Sequence, residues 1–257
     1  MPILDDLYYS EYRDSSAPTT PILLIHGAGG NHLSWPPQHR RLPNAHVYAL
    51  DLPGHGKSKR PGEQTIDGYV NAVTEWMNRA NLPRAIVVGH SMGGAVALRL
   101  ALSHPTKVVA LGLFGTGARL VVHPDLLDGT SHTSSAATAI DQIIDWSFGP
   151  ESDPKMVALV RQRFHEMRTS VLHGDLRACD AFNFLDKLER IPHPTLVACG
   201  TADKMTPLRY SQYLANKIPR GQLVIVQNAG HMLMLEKPRE TADILQDFIA
   251  QIQFNGP

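Results

Sequence analysis

One serine, Ser91, stands among glycines in residues 89–93, whose letters GHSMG fit the pattern G-x-S-x-G. The apolar residues 85–88 before it are typical of a buried strand, and the small apolar residues 92–103 after it are typical of a tightly packed helix. At such a joint the serine is exposed on a tight turn, the glycines relieve crowding, and the helix amides point at the hydroxyl. A serine that merely caps the helix is the plainer alternative. The strand and the helix on either side favour a nucleophile.

A serine hydroxyl needs a base to take its proton, and thirteen histidines are available in the chain. His231 directly follows the strand-like run 222–230, so it stands where a strand ends. His26 also ends an apolar run, but the glycines behind it indicate another role. His55 lies in a turn. His90 is expected to point away from the tight turn at Ser91, which we call the elbow. Position therefore favours His231 as the base.

The base in turn needs an acid that orients it. Asp203 follows the apolar run that ends at Gly200, which places it at another strand end. After the run 108–115 the first acidic residue is Asp125, and Asp51 precedes a Pro-Gly turn that it is expected to brace. We therefore predict Asp203 as the acid, in the chain order serine, aspartate, histidine.

The elements that must position these side chains are apolar strands alternating with helices. Near-continuous apolar runs of this kind predict a parallel sheet covered by helices on both faces. Ligands bind such sheets beyond the carboxyl ends of the strands. The strand-like runs are 22–27, 46–54, 85–91, 108–115, 195–200 and 222–230, and the helix-like segments are 66–81, 92–103, 206–217 and 238–252.

One long interval, between residues 117 and 191, holds no convincing strand and only helix-like stretches. This pattern predicts a helical lid over the strand ends. Residues 128–138, rich in serine and threonine, are predicted to be a mobile loop within it. The two candidate domains are the core, 1–117 and 191–257, and the cap, 118–190.

Five motifs carry a resemblance to a known family: HGAGG at 26–30, DLPGHGKS at 51–58, GHSMGG at 89–94, GTADKMTP at 200–207 and AGHMLMLEKP at 229–238. In this order and at these intervals, the chain resembles the α/β-hydrolase superfamily over nearly its whole length. The resemblance implies an α/β fold, with an eight-stranded, mostly parallel sheet, helices on both faces and a helical cap after the sixth strand. It also implies a catalytic triad of Ser91, Asp203 and His231.

Acyl transfer by such a triad needs hydrogen-bond donors where negative charge develops. The Met92 amide, at the start of the helix after the serine, is one expected donor. The resemblance implies that the Ala28 amide, in the loop after the first apolar run, is the second. Gly29 is the alternative donor, and we also place it in the substrate pocket.

Neither a cofactor nor a metal is expected. A G-x-G after the first apolar run, with Asp51 on the next, is similar to a dinucleotide-binding pattern, but His32 replaces the third glycine and Pro36 would interrupt the helix. Residues 51–58 end like a phosphate-binding loop but lack its first glycine. The chain also has neither H-E-x-x-H nor C-x-x-C.

Charge and composition narrow the class of partner. The 24 basic and 24 acidic residues leave a formal charge of zero, which argues against nucleic acid or a membrane surface as the partner. We expect neither a signal peptide nor a membrane span, and we expect free thiols in a reducing compartment. The prediction is therefore a cytoplasmic monomer or homodimer that acts on a small-molecule ester.

A serine at the elbow, where some relatives carry an aspartate, favours acyl transfer through an acyl-enzyme. We predict a carboxylesterase-like hydrolase of small to medium acyl chains, because the cap has no arginine cluster for a polyanionic substrate. The alternatives are a C–C bond hydrolase, a lactonase, a perhydrolase, an acyl-carrier methyl esterase, or a slow-turnover small-molecule receptor of the same fold.

The acyl pocket is the least specified part of the sequence. Apolar side chains in and near the cap are its candidates, although ordinary core packing explains each of them equally well. These candidates are Trp35, Trp146, Phe148, Phe182, Phe184 and Met232.

Overall fold

The computed structural model describes residues 3–16 and 20–254 of the chain. The strands are β1 Ile3–Leu4, β2 Leu7–Arg13, β3 Ile22–Ile25, β4 His46–Leu50, β5 Ala85–His90, β6 Val108–Phe114, β7 Thr195–Gly200 and β8 Gly221–Val226. The helices are α1 Pro37–Arg40, α2 Ile66–Arg79, α3 Met92–Ser103, α4 Pro124–Ser131, α5 Thr133–Ser147, α6 Pro154–His165, α7 Thr169–Asp180, α8 Leu208–Lys217, α9 Leu233–Glu236 and α10 Pro238–Phe254.

The strands form one eight-stranded sheet in the order β1-β2-β4-β3-β5-β6-β7-β8. The pairs β1–β2 and β2–β4 are antiparallel, and every later pair from β4 to β8 is parallel. The prediction of an eight-stranded, mostly parallel sheet is therefore confirmed. Because β3 to β8 run in one direction, the loops that follow β3, β5, β7 and β8 all leave the same edge of the sheet.

Two apolar layers explain why the strands read as continuous apolar runs. Side chains that alternate along each strand enter opposite layers, as Leu23 and Ile25 do on one face and Ile22 and Leu24 do on the other. Helices α2, α3 and α8 cover the first face, and α9 and α10 cover the second. A sheet buried on both faces has no polar side to alternate with, as expected for parallel strands.

Four α-helices, α4 to α7, and a short 3₁₀ helix, Leu185–Arg190, lie between β6 and β7, in the segment 118–190 that we call the cap. Local sequence signals start α4 and α6, each of which has proline as its first residue. In α6, Pro154 is the first residue and Asp153 caps the helix through a bond from the Lys155 amide. The cap helices also share an apolar cluster of their own, to which α5, α6 and α7 contribute.

The prediction of a mobile loop at 128–138 is wrong. Residues 128–131 belong to α4 and residues 133–138 begin α5. The small residues there allow close helix packing, because a methyl group added at Gly129 would lie 2.7 Å from the Ala139 Cβ. Small side chains that suggest a loop thus serve a helix–helix contact.

The first two strands have no counterpart among the apolar runs of the sequence. β2 reads LYYSEYR and alternates partly buried with exposed residues, and β1 has only two residues. β2 pairs with β1 on one side and β4 on the other, but most of its residues are only partly buried, so it lacks the apolar run that marks the central strands. Within residues 3–16 and 20–254, no helix combines the length and the apolarity that crossing a bilayer requires.

Candidate active site

The joint between β5 and α3 holds Ser91 in a strained conformation, with φ 51° and ψ −116°. Left-handed φ values are costly for residues other than glycine, and they persist where the surrounding structure imposes them. Two glycines make the turn possible. A methyl group at Gly89 would lie 2.1 Å from the Gly93 carbonyl oxygen, and one at Gly93 would lie 2.3 Å from the Ile25 carbonyl oxygen.

Two further strand ends bring a histidine and an aspartate together. His231 Nδ1 and Asp203 Oδ2 are 2.9 Å apart, and both residues are buried. Asp203 Oδ1 also accepts the amides of Met205 and Thr206. Burial raises the pKa of Asp203, but the charge and hydrogen bond of His231 and the bonds from Thr206 outweigh it, so the pKa lies below its usual range. The carboxylate is therefore held ionised against the imidazole.

Ser91 and His231 line the same cavity. Within the described residues no hydrogen bond joins the two side chains. Serine–histidine bonds of this kind are often long without substrate and tighten when it binds. One cavity thus holds a serine hydroxyl and an imidazole, and the imidazole is paired with a buried carboxylate.

Three residues to which the sequence analysis assigned no role hold this group in place. The Thr206 hydroxyl donates to Asp203 Oδ2, at 2.8 Å, and the Thr116 hydroxyl donates to the Ser91 carbonyl, at 2.8 Å. His90 Nε2 lies 2.9 Å from the His231 carbonyl oxygen, so its ring braces the loop of that histidine. Burial lowers the pKa of His90 to about 3, so the ring is neutral. The spacing Asp203-x-x-Thr206 is the sequence signal that could have found Thr206.

Two backbone amides beside the serine have no partner within the described residues, those of Ala28 and Met92. Met92 begins α3, so its amide is one of the unpaired donors at a helix N-terminus. The loop that carries Ala28 approaches the serine closely, since a methyl group at Gly27 would lie 3.0 Å from Ser91 Cβ. Among the described residues, the two amides therefore have no bonding partner, and they lie on Met92, directly after Ser91, and on the loop that approaches Ser91.

Gly29, the alternative donor, is engaged elsewhere. Its amide donates to Asp175 Oδ2 at 2.8 Å, and Gly29 is not among the residues that line the cavity. Its φ of +66° is a left-handed value that glycine adopts without strain. The hydrogen bond therefore corrects the expectation of Gly29 as a donor, and the cavity lining corrects its place in the pocket.

The cavity above Ser91 has a volume of about 470 Å³, within the usual range for small-molecule sites. Its walls come from the core loops and from the cap, and its apolar part is built by cap side chains. These are Leu126, Ile143, Trp146, Phe164, Leu172 and Leu176. Among the residues that the structure describes, no aspartate or glutamate lines it, whereas the exposed Lys204 and Arg209 do.

Of the predicted pocket residues, Trp146 and Met232 line the cavity. Trp35 does not, because it is fully buried in the second apolar layer of the core, against Phe114. Phe148 packs in the apolar cluster of the cap, outside this cavity. The rings of the other two candidates, Phe182 and Phe184, stack on each other within the core at 5.6 Å.

The family model described as "alpha/beta hydrolase fold" matches residues 20–238 of the chain. The chain belongs to the alpha/beta hydrolase family. It is 28% identical to the 2-hydroxymuconate semialdehyde hydrolase of Pseudomonas sp. (strain CF600). The 246 aligned residues cover 90% of this chain and 87% of that protein.

Two esterases are also similar to this alpha/beta hydrolase. The pimeloyl-[acyl-carrier protein] methyl ester esterase of Neisseria meningitidis serogroup C is 29% identical over 241 residues, which is 89% of this chain and 93% of that protein. A solved structure described as a thermophilic esterase aligns with a TM-score of 0.82 and 33% identity, over 96% of this chain and 98% of that one. Esterases and a semialdehyde hydrolase thus stand among its relatives.

The remaining motif residues of this alpha/beta hydrolase brace its loops. Asp51 accepts the His32 amide at 2.7 Å and the Lys57 amide at 2.8 Å. His26 Nε2 accepts the Leu52 amide, and burial lowers the pKa of His26 to about 4, so the ring stays neutral.

The described residues hold no group of three or more histidine, cysteine or acidic side chains arranged for a metal ion. Both cysteines are buried free thiols.

Proposed function

We propose that this protein is a serine esterase that hydrolyses carboxylic esters of small to medium acyl chain. The observation that carries the proposal is the convergence of Ser91, the Asp203–His231 pair and two free amides at one end of an apolar cavity. Nucleophile, base, orienting acid and oxyanion donors are the four parts that acyl transfer needs.

The proposed reaction starts at the serine. Ser91 Oγ attacks the ester carbonyl carbon while His231 Nε2 takes the hydroxyl proton. Asp203 orients the ring and stabilises its positive charge through the bond at Nδ1. The Ala28 and Met92 amides receive the negative oxygen of the tetrahedral intermediate.

The second half of the reaction uses the same groups. His231 returns its proton to the leaving alcohol, which departs and leaves an acyl group on Ser91. His231 then takes a proton from a water molecule that attacks this acyl-enzyme, and the acid is released. The apolar side chains of the cap support an acyl chain in the cavity rather than a polyanionic group.

The test is a series of p-nitrophenyl esters of increasing chain length, with lactone and C–C bond substrates assayed in parallel. We expect wild type to turn over the short and medium esters many times and the long esters poorly. Ser91→Ala should lower kcat by roughly 10⁴-fold or more, since loss of the nucleophile disables the whole triad. A fluorophosphonate probe should modify Ser91, as located by mass spectrometry.

Ser147→Ala is the matched control, because Ser147 also lines the cavity but donates its hydroxyl to the Ile143 carbonyl. It should keep wild-type turnover. Equal ester hydrolysis by wild type and Ser91→Ala, or a probe that leaves Ser91 unmodified, would overturn the proposal. If a lactone or C–C bond substrate is turned over faster than any ester, the proposed substrate class is wrong but the proposed triad stands. If each protein molecule hydrolyses its ester only once and slowly, the protein is a receptor of the same fold.

A further inference from the structure

A buried carboxylate of the cap, Asp175 in α7, contacts the core next to residues 27–30, the loop that carries Ala28 and that we call the oxyanion loop. Its side chain is fully buried. Asp175 Oδ2 accepts the Gly29 amide at 2.8 Å and lies 2.7 Å from His55 Nε2, and Asp175 Oδ1 accepts the Tyr69 hydroxyl. All three partners belong to the core, and Gly29 is 146 residues away along the chain. One cap side chain therefore joins three separate core segments.

The chemistry of these contacts requires an acceptor that offers two oxygens. An ionised carboxylate accepts at both oxygens and donates at neither. His55 Nδ1 faces the Pro53 carbonyl oxygen at 2.9 Å, so each ring nitrogen of His55 faces an acceptor. Burial lowers the pKa of His55, but the charge and hydrogen bond of Asp175 outweigh it and raise the pKa above its usual value. The two side chains are thus buried and hydrogen-bonded to each other, and Asp175 favours the protonated form of the His55 ring.

Such pairs contribute little net stability, because the cost of removing two charges from water offsets their attraction. What the pair does supply is position. The Gly29 amide donates toward the cap at a φ of +66°, and the preceding amide, that of Ala28, has no partner among the described residues. Side chains of the cap also confine this turn, since a methyl group at Gly29 would lie 2.8 Å from both Phe164 and Met167.

We propose that Asp175 is a positioning residue for the oxyanion hole: by accepting the Gly29 amide, it holds the turn that aims the Ala28 amide at the reacting oxygen. The inference rests on the proposed esterase function for its effect on rate. The cap then contributes to catalysis as well as covering the site, because packing of α7 against the core brings Asp175 to the Gly29 amide.

Three variants separate positioning from stability. Asp175→Ala removes the acceptor, and we expect it to lower kcat for p-nitrophenyl butyrate by about 10- to 100-fold, somewhat less than outright loss of an oxyanion donor. KM should stay within about twofold, since binding to the apolar wall is unchanged. Asp175→Asn keeps one acceptor oxygen for Gly29 and should recover most of kcat. Tyr69→Phe breaks the same cluster without touching the Gly29 bond, so it should lower the unfolding temperature but not kcat.

Each activity is referred to the concentration of sites that the fluorophosphonate probe titrates, so that partial unfolding does not count as lost kcat. The second measurement is hydrogen exchange of the Gly29 amide by NMR, which is independent of any reaction. Exchange should accelerate in Asp175→Ala and stay slow in Tyr69→Phe. Unchanged exchange, unchanged kcat in Asp175→Ala, or an equal loss of kcat in Tyr69→Phe would overturn the inference. If wild type hydrolyses no ester, the proposed function fails, and exchange alone decides whether Asp175 holds the turn.

Discussion

At the scale of single residues, Thr206 supports the carboxylate that orients His231. Its hydroxyl donates to Asp203 Oδ2, the same oxygen that faces the imidazole, and its amide donates to the other oxygen. The side chain is buried and also lines the cavity. The hydroxyl thus helps to keep the carboxylate in the plane where the ring needs it.

We expect Thr206→Val, which keeps the shape and removes the hydroxyl, to lower kcat up to about tenfold with KM unchanged. One charge-assisted hydrogen bond has about this value in the transition state. Steady-state kinetics and the rate of fluorophosphonate labelling should fall in parallel. The matched control is Thr195→Val, whose buried hydroxyl donates to the His193 carbonyl outside the site. An equal kinetic loss in both variants would contradict a specific role for Thr206.

Single residues also show how far sequence reasoning reaches. Ser91, Asp203 and His231 could be chosen because each follows a strand, and parallel strands end at one edge of a sheet. Asp175 could not, because it lies within a helix and its partners are remote in sequence. Nor could periodicity distinguish Trp35, which is in the core, from Trp146, which faces the cavity. An apolar ring suits both surroundings equally.

At the scale of elements, the turn between β5 and α3 requires glycine at Gly89, because no side chain fits at that position. The Gly89 position faces the backbone of the following helix, and backbone cannot move aside as a flexible side chain can. Gly112, in the neighbouring strand β6, is different, because a methyl group there would meet the Val88 side chain at 3.0 Å. The two positions form a natural comparison between strand glycines.

We expect Gly89→Ala to destabilise the fold by about 3 kcal/mol or more, at or above the upper end of typical overpacking. It should also abolish labelling of Ser91, because relief of the clash must shift the elbow. Gly112→Ala should cost about 1 kcal/mol and retain activity. Urea unfolding and probe labelling of both variants provide the measurement. Wild-type labelling in Gly89→Ala would show that the turn tolerates a side chain.

Elements also mark where sequence patterns mislead. The central strands can be predicted from their apolar runs because both of their faces are buried. Most residues of β2 are only partly buried, so its sequence has no such run. Residues 128–138 were interpreted as a loop because they are small and polar, yet they form the contact between α4 and α5. Composition cannot separate a loop from a close helix contact without the partner helix.

At the scale of the whole molecule, several buried histidines link stability to pH. Burial lowers the pKa of His26 and His39 to about 4 and that of His90 to about 3. The unfolded chain binds these protons near pH 6.5, so between about pH 6.5 and 4 it binds more protons than the folded one. Stability therefore falls as the pH falls through this window. His55, whose pKa is raised, acts in the opposite sense.

His39→Leu should flatten this dependence. His39 is buried between Trp35 and Phe114, away from the cavity, so activity should be retained. Between pH 7 and pH 5 the wild-type free energy of unfolding should drop by about 2 kcal/mol more than that of the variant. Urea titrations at both pH values measure the difference, with the exposed His132→Gln as the control. Parallel slopes in wild type and His39→Leu would contradict a neutral buried ring.

The charge of the cavity has a consequence for the end of the reaction. Lys204 and Arg209 are exposed residues that line the cavity, and among the described residues no acidic side chain lines it. Under the proposed chemistry a neutral ester enters, but the released acid ionises at neutral pH in a cavity that two cations line. The carboxylate product is then held more tightly than the alcohol, to a degree that salt weakens. If the protein is the esterase proposed above, we expect its carboxylic acid product to inhibit it.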